Sequence, residues 1–436
     1  MNRRFLGAAL GLLLGGCATA GSGAQTQPEI EAGQGAEAQP VSAQQASEPA
    51  VHEGGLSFIE DDLDKALALA KATDRPLVID LWAPWCHTCL SMQHVVFKDP
   101  ALLAMEPRFV WLALDTDRPE NAGAIARFRP EVWPTFYVVS PDGLIQASQA
   151  GSTTAKGFRE FLVRGEDGTR ESAALAKDTA LWHLRQGDRD VAARRYKRAE
   201  AAYRKALSLA PRDWPRAPEV LVRLARTLYR QERFKACAEL ALAELPRAVS
   251  GKDASGSDFT VYASLCATRL GDKPLAATLR SVLVAPQASL AWLAAEPTAS
   301  LTADDRSDAL STLREVYIAL GRPDDARRAA ETQAQLLDAA VEAAPSASAQ
   351  MTYVWPRSEV YVALGRGEAI LPWIHELIAA LPDQYDPPYR AAWVLRKLGR
   401  DAEALPLAQR AAELAYGPRK ERIEALVAEI SAAMQD

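Results

Sequence analysis

Leu77-Val78-Ile79-Asp80-Leu81-Trp82-Ala83-Pro84-Trp85-Cys86-His87-Thr88-Cys89 runs from a short apolar segment, Leu77 to Trp82, through a Cys-x-x-Cys pair into a helix-like segment, Leu90 to Phe97. A continuous apolar run of this length, entered through the breaker Thr73-Asp74-Arg75-Pro76, predicts a strand buried on both faces of a parallel sheet. One such cysteine pair at a strand-to-helix junction, inside a βαβ pattern, is the arrangement that dithiol–disulfide chemistry requires.

Working outward, residues 56–164 alternate helix and strand signals. Ile59 to Ala72 carries Leu63, Ala66, Leu67 and Ala70 at amphipathic helical spacing. Phe109 to Leu114 predicts a second strand, Glu120 to Arg127 a helix and Thr135 to Val139 a third strand. Ser140-Pro141-Asp142-Gly143 predicts a hairpin turn into Leu144 to Ala147, and Thr154 to Val163 a closing helix.

The stretch from Val78 to Cys89 resembles the thioredoxin active-site segment almost position for position, and Trp133-Pro134-Thr135 resembles that family's cis-proline segment. The run ending Val96-Phe97-Lys98-Asp99-Pro100 is more similar to the C-terminal thioredoxin domain of DsbD-type disulfide reductants. The resemblance implies an α/β thioredoxin fold, a central mixed sheet flanked by helices. Two departures stand out: His87-Thr88 replaces Gly-Pro between the cysteines, and Trp133 is bulky for the residue before the cis proline.

Cys86, expected at the exposed N-terminus of a helix, is the candidate nucleophile, because unpaired N–H groups and the macrodipole there favour a thiolate. Cys89, one turn further in, is the resolving thiol. Asp80, a carboxylate in an apolar strand, is expected to have a raised pKa and to exchange a proton with Cys89, a role the resemblance also implies; a carboxylate satisfied by local hydrogen bonds is the alternative. His87 either tunes the thiolate as an imidazolium or points into solvent. Trp85, Trp133, Pro134 and Thr135 are the candidate substrate-contacting residues, with Trp82 and Trp85 assigned to packing first. A cis Pro134 would leave backbone groups of the preceding residue free to pair with an extended substrate. A structural disulfide or half a zinc site are the competing readings of the pair; only His87 and His94 lie near it in sequence, so no metal is expected. Leu90 after Cys89 excludes a c-type haem site, and a second cysteine at this spacing would quench a Cys–His hydrolase. The chemistry calls for no cofactor beyond the Cys86–Cys89 disulfide itself.

From about residue 170 to residue 434 the chain is Ala-, Leu- and Arg-rich, with no strand signal. Leu184 to Asp188, Leu228 to Glu232, Arg269 to Asp272, Ala319 to Arg322, Ala363 to Arg366 and Lys397 to Arg400 recur as short turns between helices, resembling degenerate tetratricopeptide repeats. The expectation is an all-α solenoid of about six hairpins that binds protein segments. Pro211, Pro246, Pro345 and Pro382 are expected to close helices. Tyr229, Tyr262, Tyr317, Tyr361 and Trp393 precede the turns and are assigned to the core. Cys237 and Cys266 fall where antiparallel helices would bring them together, as a structural disulfide or as two independent thiols.

Arg3-Arg4, the apolar run to Leu14 and Leu14-Gly15-Gly16-Cys17 read as a signal segment over residues 1–17. Its end resembles a bacterial lipobox, which implies lipid attachment at Cys17. Ala18 in place of Asp tilts the expected location to the outer rather than the inner membrane, on the periplasmic face. Residues 18–55 have almost no large apolar side chain and predict a disordered tether with a reach of roughly 30 Å. A net charge of −6 over 436 residues and the expected lack of a basic cluster argue against nucleic acid. The expected function is a tethered thiol–disulfide oxidoreductase, leaning towards reductase, acting on disulfide-containing clients with a redox partner protein; the alternative is a repeat-based assembly lipoprotein with an idle dithiol.

Overall fold

The computed structural model describes residues 50–51, 55–130, 132–170, 177–251, 253–293 and 301–435. The signal segment, Cys17 and nearly all of the tether lie outside the described residues. Among those described, no helix is long and apolar enough to cross a membrane.

β1 (Ala50–Val51), β2 (Ser57–Glu60), α1 (Leu63–Thr73), β3 (Leu77–Trp82), α2 (His87–His94), α3 (Pro100–Leu103), β4 (Val110–Asp115), α4 (Ala122–Arg127), β5 (Thr135–Val139), β6 (Ile145–Ala150) and α5 (Ala155–Arg170) form the first part. The sheet order is β1-β2-β4-β3-β5-β6. β3 runs parallel to β4 and antiparallel to β5, which makes it central in a mixed sheet. Its alternation divides the core: Val78 packs with Phe97, Phe136 and Phe158 on one face, while Leu77, Ile79 and Leu81 pack with Ala66, Leu112 and Tyr137 on the other.

β2 corrects the expected helix start at Ile59. Phe58 and Ile59 enter opposite cores, so this stretch is a strand buried on both sides, and α1 begins only after Asp62, whose carboxylate caps the Lys65 amide. α5 likewise runs on to Arg170, past the expected domain end at residue 164.

The rest is helical: α6 (Ala180–Ala192), α7 (Tyr196–Leu209), α8 (Ala217–Arg230), α9 (Phe234–Ala248), α10 (Ala254–Leu270), α11 (Pro274–Leu293), α12 (Ala303–Ala319), α13 (Pro323–Ala343), α14 (Ala347–Gln350), α15 (Val354–Ala363), α16 (Gly367–Ala380), α17 (Asp386–Lys397), α18 (Asp401–Leu414) and α19 (Gly417–Ala433). Consecutive helices pack as hairpins into a solenoid. Gly271, Gly321, Gly365 and Gly399 take φ of 68–74° just past their helices, the left-handed region that suits glycine, and this is why Gly marks those turns. Two expected breaks are not breaks. Gly187 lies inside α6, where a Cβ would stand 2.4 Å from the Tyr203 ring, so this glycine serves helix contact and the chain turns at residues 193–195. Pro246 lies inside the last turn of α9. Cys237 and Cys266, both fully buried, are joined as a disulfide between α9 and α10.

The expected lack of a basic cluster is corrected by the fold, which gathers one from α7, α8 and the turns beside them. Arg194, Arg195, Lys197, Arg198, Arg230 and Arg233 line an open cavity of about 490 Å³, with Arg195 and Arg233 paired to Asp190 and Glu200.

The first helices of successive hairpins face the sheet domain. Arg223 on α8 donates to the Ser148 carbonyl at 2.8 Å and pairs with Asp188 at 3.0 Å, both deep in the interface. Asp305 accepts from Ser152 at 2.7 Å. Leu90 packs against Met351, Val354 and Leu377. Trp85 packs in the cluster of Tyr385, Tyr389, Ala411 and Ile423. Finally, Tyr416 donates to Asp115 at 2.5 Å, and Gly417 lies so close to the Asp117 carbonyl that a Cβ would be 1.8 Å away.

Candidate redox site

β3 delivers the chain to Trp85 and α2 takes it on from Cys86, so the nucleophile candidate is itself the N-cap of the helix. Cys86 Sγ accepts from the Cys89 amide at 3.1 Å, and the two sulfurs are joined as a disulfide. Reduction would leave a thiolate at the helix end, where orphan amides and the dipole stabilise negative charge. The expected exposure of Cys86 is corrected: it is 4% exposed and Cys89 fully buried, because Trp82, Trp85 and Trp133 pack against the pair and the helical domain packs in turn on Trp85.

Asp80 sits on β3 opposite Phe136 and Ala113, facing the same side as Val78 and Trp82. It is 1% exposed and its Oδ1 has no hydrogen-bond partner. Burial raises its pKa well above the usual carboxylate range. The alternative of local hydrogen-bond satisfaction therefore does not describe Oδ1.

The Trp133–Pro134 peptide is cis. Its surroundings are already engaged. The Trp133 carbonyl accepts from the Thr88 hydroxyl at 3.2 Å, and that hydroxyl lies 3.3 Å from Cys86 Sγ. The Pro134 carbonyl accepts from Gly151, so the backbone expected to be free for substrate is only partly so. Thr135 is 1% exposed and its hydroxyl donates to the Val132 carbonyl, placing it behind the surface rather than on it. Trp133 donates to Thr116 at 2.7 Å, Trp85 donates to Asp117 at 2.7 Å, and the two indoles lie 5.4 Å apart. Arg419 covers the Trp85 ring at 5.0 Å. Burial pushes the pKa of Asp115 up to about 6 against the Tyr416 hydrogen bond, and also raises that of Asp117 against its bond to Trp85.

His87 does not point into solvent. Its Nδ1 is 2.8 Å from Asp304 Oδ1, with side-chain exposures of 11% and 0%. His87, Asp304 and Asp308 each offer a ligand atom within 4.8 Å of the others, a grouping that could hold a cation and that sequence spacing alone does not reveal. The signal for Asp304 was present as the capping box Thr302-Ala303-Asp304-Asp305, which announces a helix start but not what the helix start touches.

Residues 59–141 match the family model described as Thioredoxin-like. This part of the chain is a thioredoxin-like domain. Over 67 residues it is 37% identical to the thiol:disulfide interchange protein DsbD of Vibrio vulnificus (strain CMCP6), covering 14% of this chain and 11% of that protein. Over 140 residues it is 29% identical to thiol:disulfide interchange protein DsbD 1 of Pseudomonas aeruginosa, covering 29% of this chain and 24% of that protein. The chain thus spans about a tenth to a quarter of the length of these curated relatives. A thermophilic TPR protein of Thermus thermophilus superposes with a TM-score of 0.29 at 20% identity, covering 58% of this chain and 99% of that one. At that score the solenoid rests on its own helix pairing, not on the neighbour.

Proposed function

We propose that this chain is a thiol–disulfide oxidoreductase acting on protein disulfides, held at the periplasmic face of a bacterial membrane by lipid on Cys17, on the outer membrane rather than the inner. The observation that carries the exchange chemistry is the Cys86–Cys89 disulfide at the N-terminus of α2, with the buried Asp80 carboxyl, its Oδ1 unpartnered, in the adjoining strand. In the reducing direction Cys86 thiolate attacks a client disulfide, one client sulfur leaves as thiolate and takes a proton, and a mixed disulfide forms. Cys89, deprotonated towards Asp80, then attacks Cys86 Sγ, expelling the second client thiol and closing the Cys86–Cys89 bond. No cofactor is required beyond this disulfide.

The helical domain is read as the selector of clients and of the redox partner. Its inner helices meet the thioredoxin-like domain around the dithiol, so a client has to approach where Trp85, Trp133 and the solenoid leave Cys86 its small opening. The test is Cys89→Ser in cells: trapped mixed disulfides through Cys86, with dithiol-dependent insulin reduction by the unaltered protein, are expected. Neither appearing would favour the assembly reading with an idle dithiol.

A further inference from the structure

His87, the first residue of α2, and Asp304 and Asp308 on α12 each offer a ligand atom, and the three atoms lie within 4.8 Å of one another. Asp304 and Asp308 are four residues apart on one helix, so both carboxylates stand on the same face. The imidazole meets them from the sheet domain, with Nδ1 2.8 Å from Asp304 Oδ1. A second contact fixes the approach of the two helices: the Ser91 hydroxyl, one turn along α2, lies 3.1 Å from that of Thr302, the N-cap of α12. Both carboxylates lie more than two hundred residues from His87, which is why sequence neighbours alone predict no metal.

Two adjacent carboxylates of α12 differ in how they are satisfied. Asp305 is engaged, accepting from Ser152 and from the amide and hydroxyl of Thr302. Asp304 is fully buried, its Oδ1 meets His87, and its Oδ2 has no hydrogen-bond partner. A buried carboxylate oxygen without a partner is costly. Like charge adds to the cost, because Asp308 faces Asp304, Asp305 and Glu359 of α15, and Asp258 of α10 faces Asp305 and Asp308. Against these stand His87, Arg390 of α17 and Arg226 of α8, while Arg314 pairs with Glu359.

We propose that His87, Asp304 and Asp308 form a binding site for one divalent transition-metal ion of the zinc class, which fastens the CxxC helix to the helical domain. One imidazole nitrogen with two carboxylates suits Zn²⁺, whereas Mg²⁺ and Ca²⁺ favour oxygen alone. The two carboxylates balance the charge of the ion, and the imidazole binds it in neutral form. Ligands of a tetrahedral Zn²⁺ at about 2.0–2.1 Å stand about 3.3 Å from one another. His87 Nδ1 and Asp304 Oδ1 therefore part by about half an ångström as the ion replaces the proton between them, and Asp308 draws in by at most about 1.5 Å. Asp308 is half-buried and the His87 side chain 11% exposed, which leaves a way in for the ion and for a water as fourth ligand. Neither sulfur of the dithiol is a ligand, so the site does not rest on the proposed exchange activity.

The test uses the untagged full chain with the Cys86–Cys89 bond oxidised and free thiols alkylated, so that no sulfur competes for metal. After treatment with a chelator, Zn²⁺ is titrated by calorimetry and Co²⁺ by visible absorption. The wild type is expected to take up one equivalent of Zn²⁺, to give a Co²⁺ d–d band that Zn²⁺ abolishes, and to melt at a higher temperature as free Zn²⁺ rises. H87N and D308N should each weaken Zn²⁺ binding by about a hundredfold or more, since changes behind the ligands alone cost about 10–100-fold. D258N, which removes a neighbouring charge but no ligand, should cost far less. No uptake by the folded wild type would overturn the proposal. So would one equivalent bound undiminished by H87N, or an equal loss in D258N and D308N, either of which marks an adventitious ion only. D304N is expected to abolish binding; should it not fold, H87N and D308N, both at partly exposed positions, decide. Turnover on protein disulfides is not a readout, so its failure would defeat the exchange activity and leave the metal site standing.

Discussion

Asp80→Asn separates the charge of the buried carboxylate from its shape. In the folded protein Asp80 is 1% exposed, Oδ1 has no partner, and burial holds its pKa well above the ordinary value of 3.8. The folded state therefore binds the proton more tightly than the unfolded chain does. Its stability is greatest at acid pH, falls as pH rises from about 3.8 to the folded pKa, and stays at the lower level beyond it. Each unit of separation between the two values removes about 1.4 kcal/mol. Asn has nearly the same volume and cannot ionise, so near pH 4 the variant should match the wild type to within the difference of one hydrogen bond, about 1 kcal/mol. As pH rises it should become progressively more stable than the wild type. Urea unfolding of both oxidised proteins, followed by tryptophan fluorescence at several pH values, gives this difference directly. A stability difference that does not grow with pH would refute the argument that the Asp80 charge is what burial penalises. The same variant should accumulate mixed disulfides on Cys86, since Cys89 would lose its proton acceptor.

Thr88→Val removes a hydroxyl that donates to the Trp133 carbonyl at 3.2 Å and lies 3.3 Å from Cys86 Sγ; on reduction its one proton can turn from that carbonyl to the thiolate, so without it the Cys86 thiolate pKa, read from ultraviolet thiolate absorbance, should rise. Gly187→Ala brings a methyl within 2.4 Å of the Tyr203 ring and should destabilise the first hairpin by about 1–3 kcal/mol in thermal or urea unfolding, despite the better helix propensity of Ala. Replacing Cys237 and Cys266 together with Ser opens a link of sequence separation 29, so unfolding should become easier by about 3–4 kcal/mol, with little effect on the reduction potential of Cys86–Cys89.

The redox pair was legible because its chemistry is local: a buried strand, a helix start and the two-residue spacing all lie between Leu77 and Cys89. The turns at Gly271, Gly321, Gly365 and Gly399 were legible for the same reason, since a positive φ leaves a glycine in the sequence. Gly187 shows the limit of that rule, because a glycine chosen for contact with Tyr203 reads like one chosen for a turn. β2 escaped because two adjacent apolar residues serving opposite cores break both the strand and the helix period. What the sequence could not reveal was the enclosure of Cys86. Tyr385, Tyr389 and Ile423 look like ordinary solenoid core, and only the folded chain turns them towards Trp85.

The bond between Tyr416 and Asp115 spans 301 residues of chain. At synthesis rates of about 5–20 residues per second, Tyr416 is made roughly 15 to 60 s after Asp115. For that interval Trp85 has no packing from α17 to α19. The order in which the chain is made leaves the packing around Trp85 to be completed by its last helices.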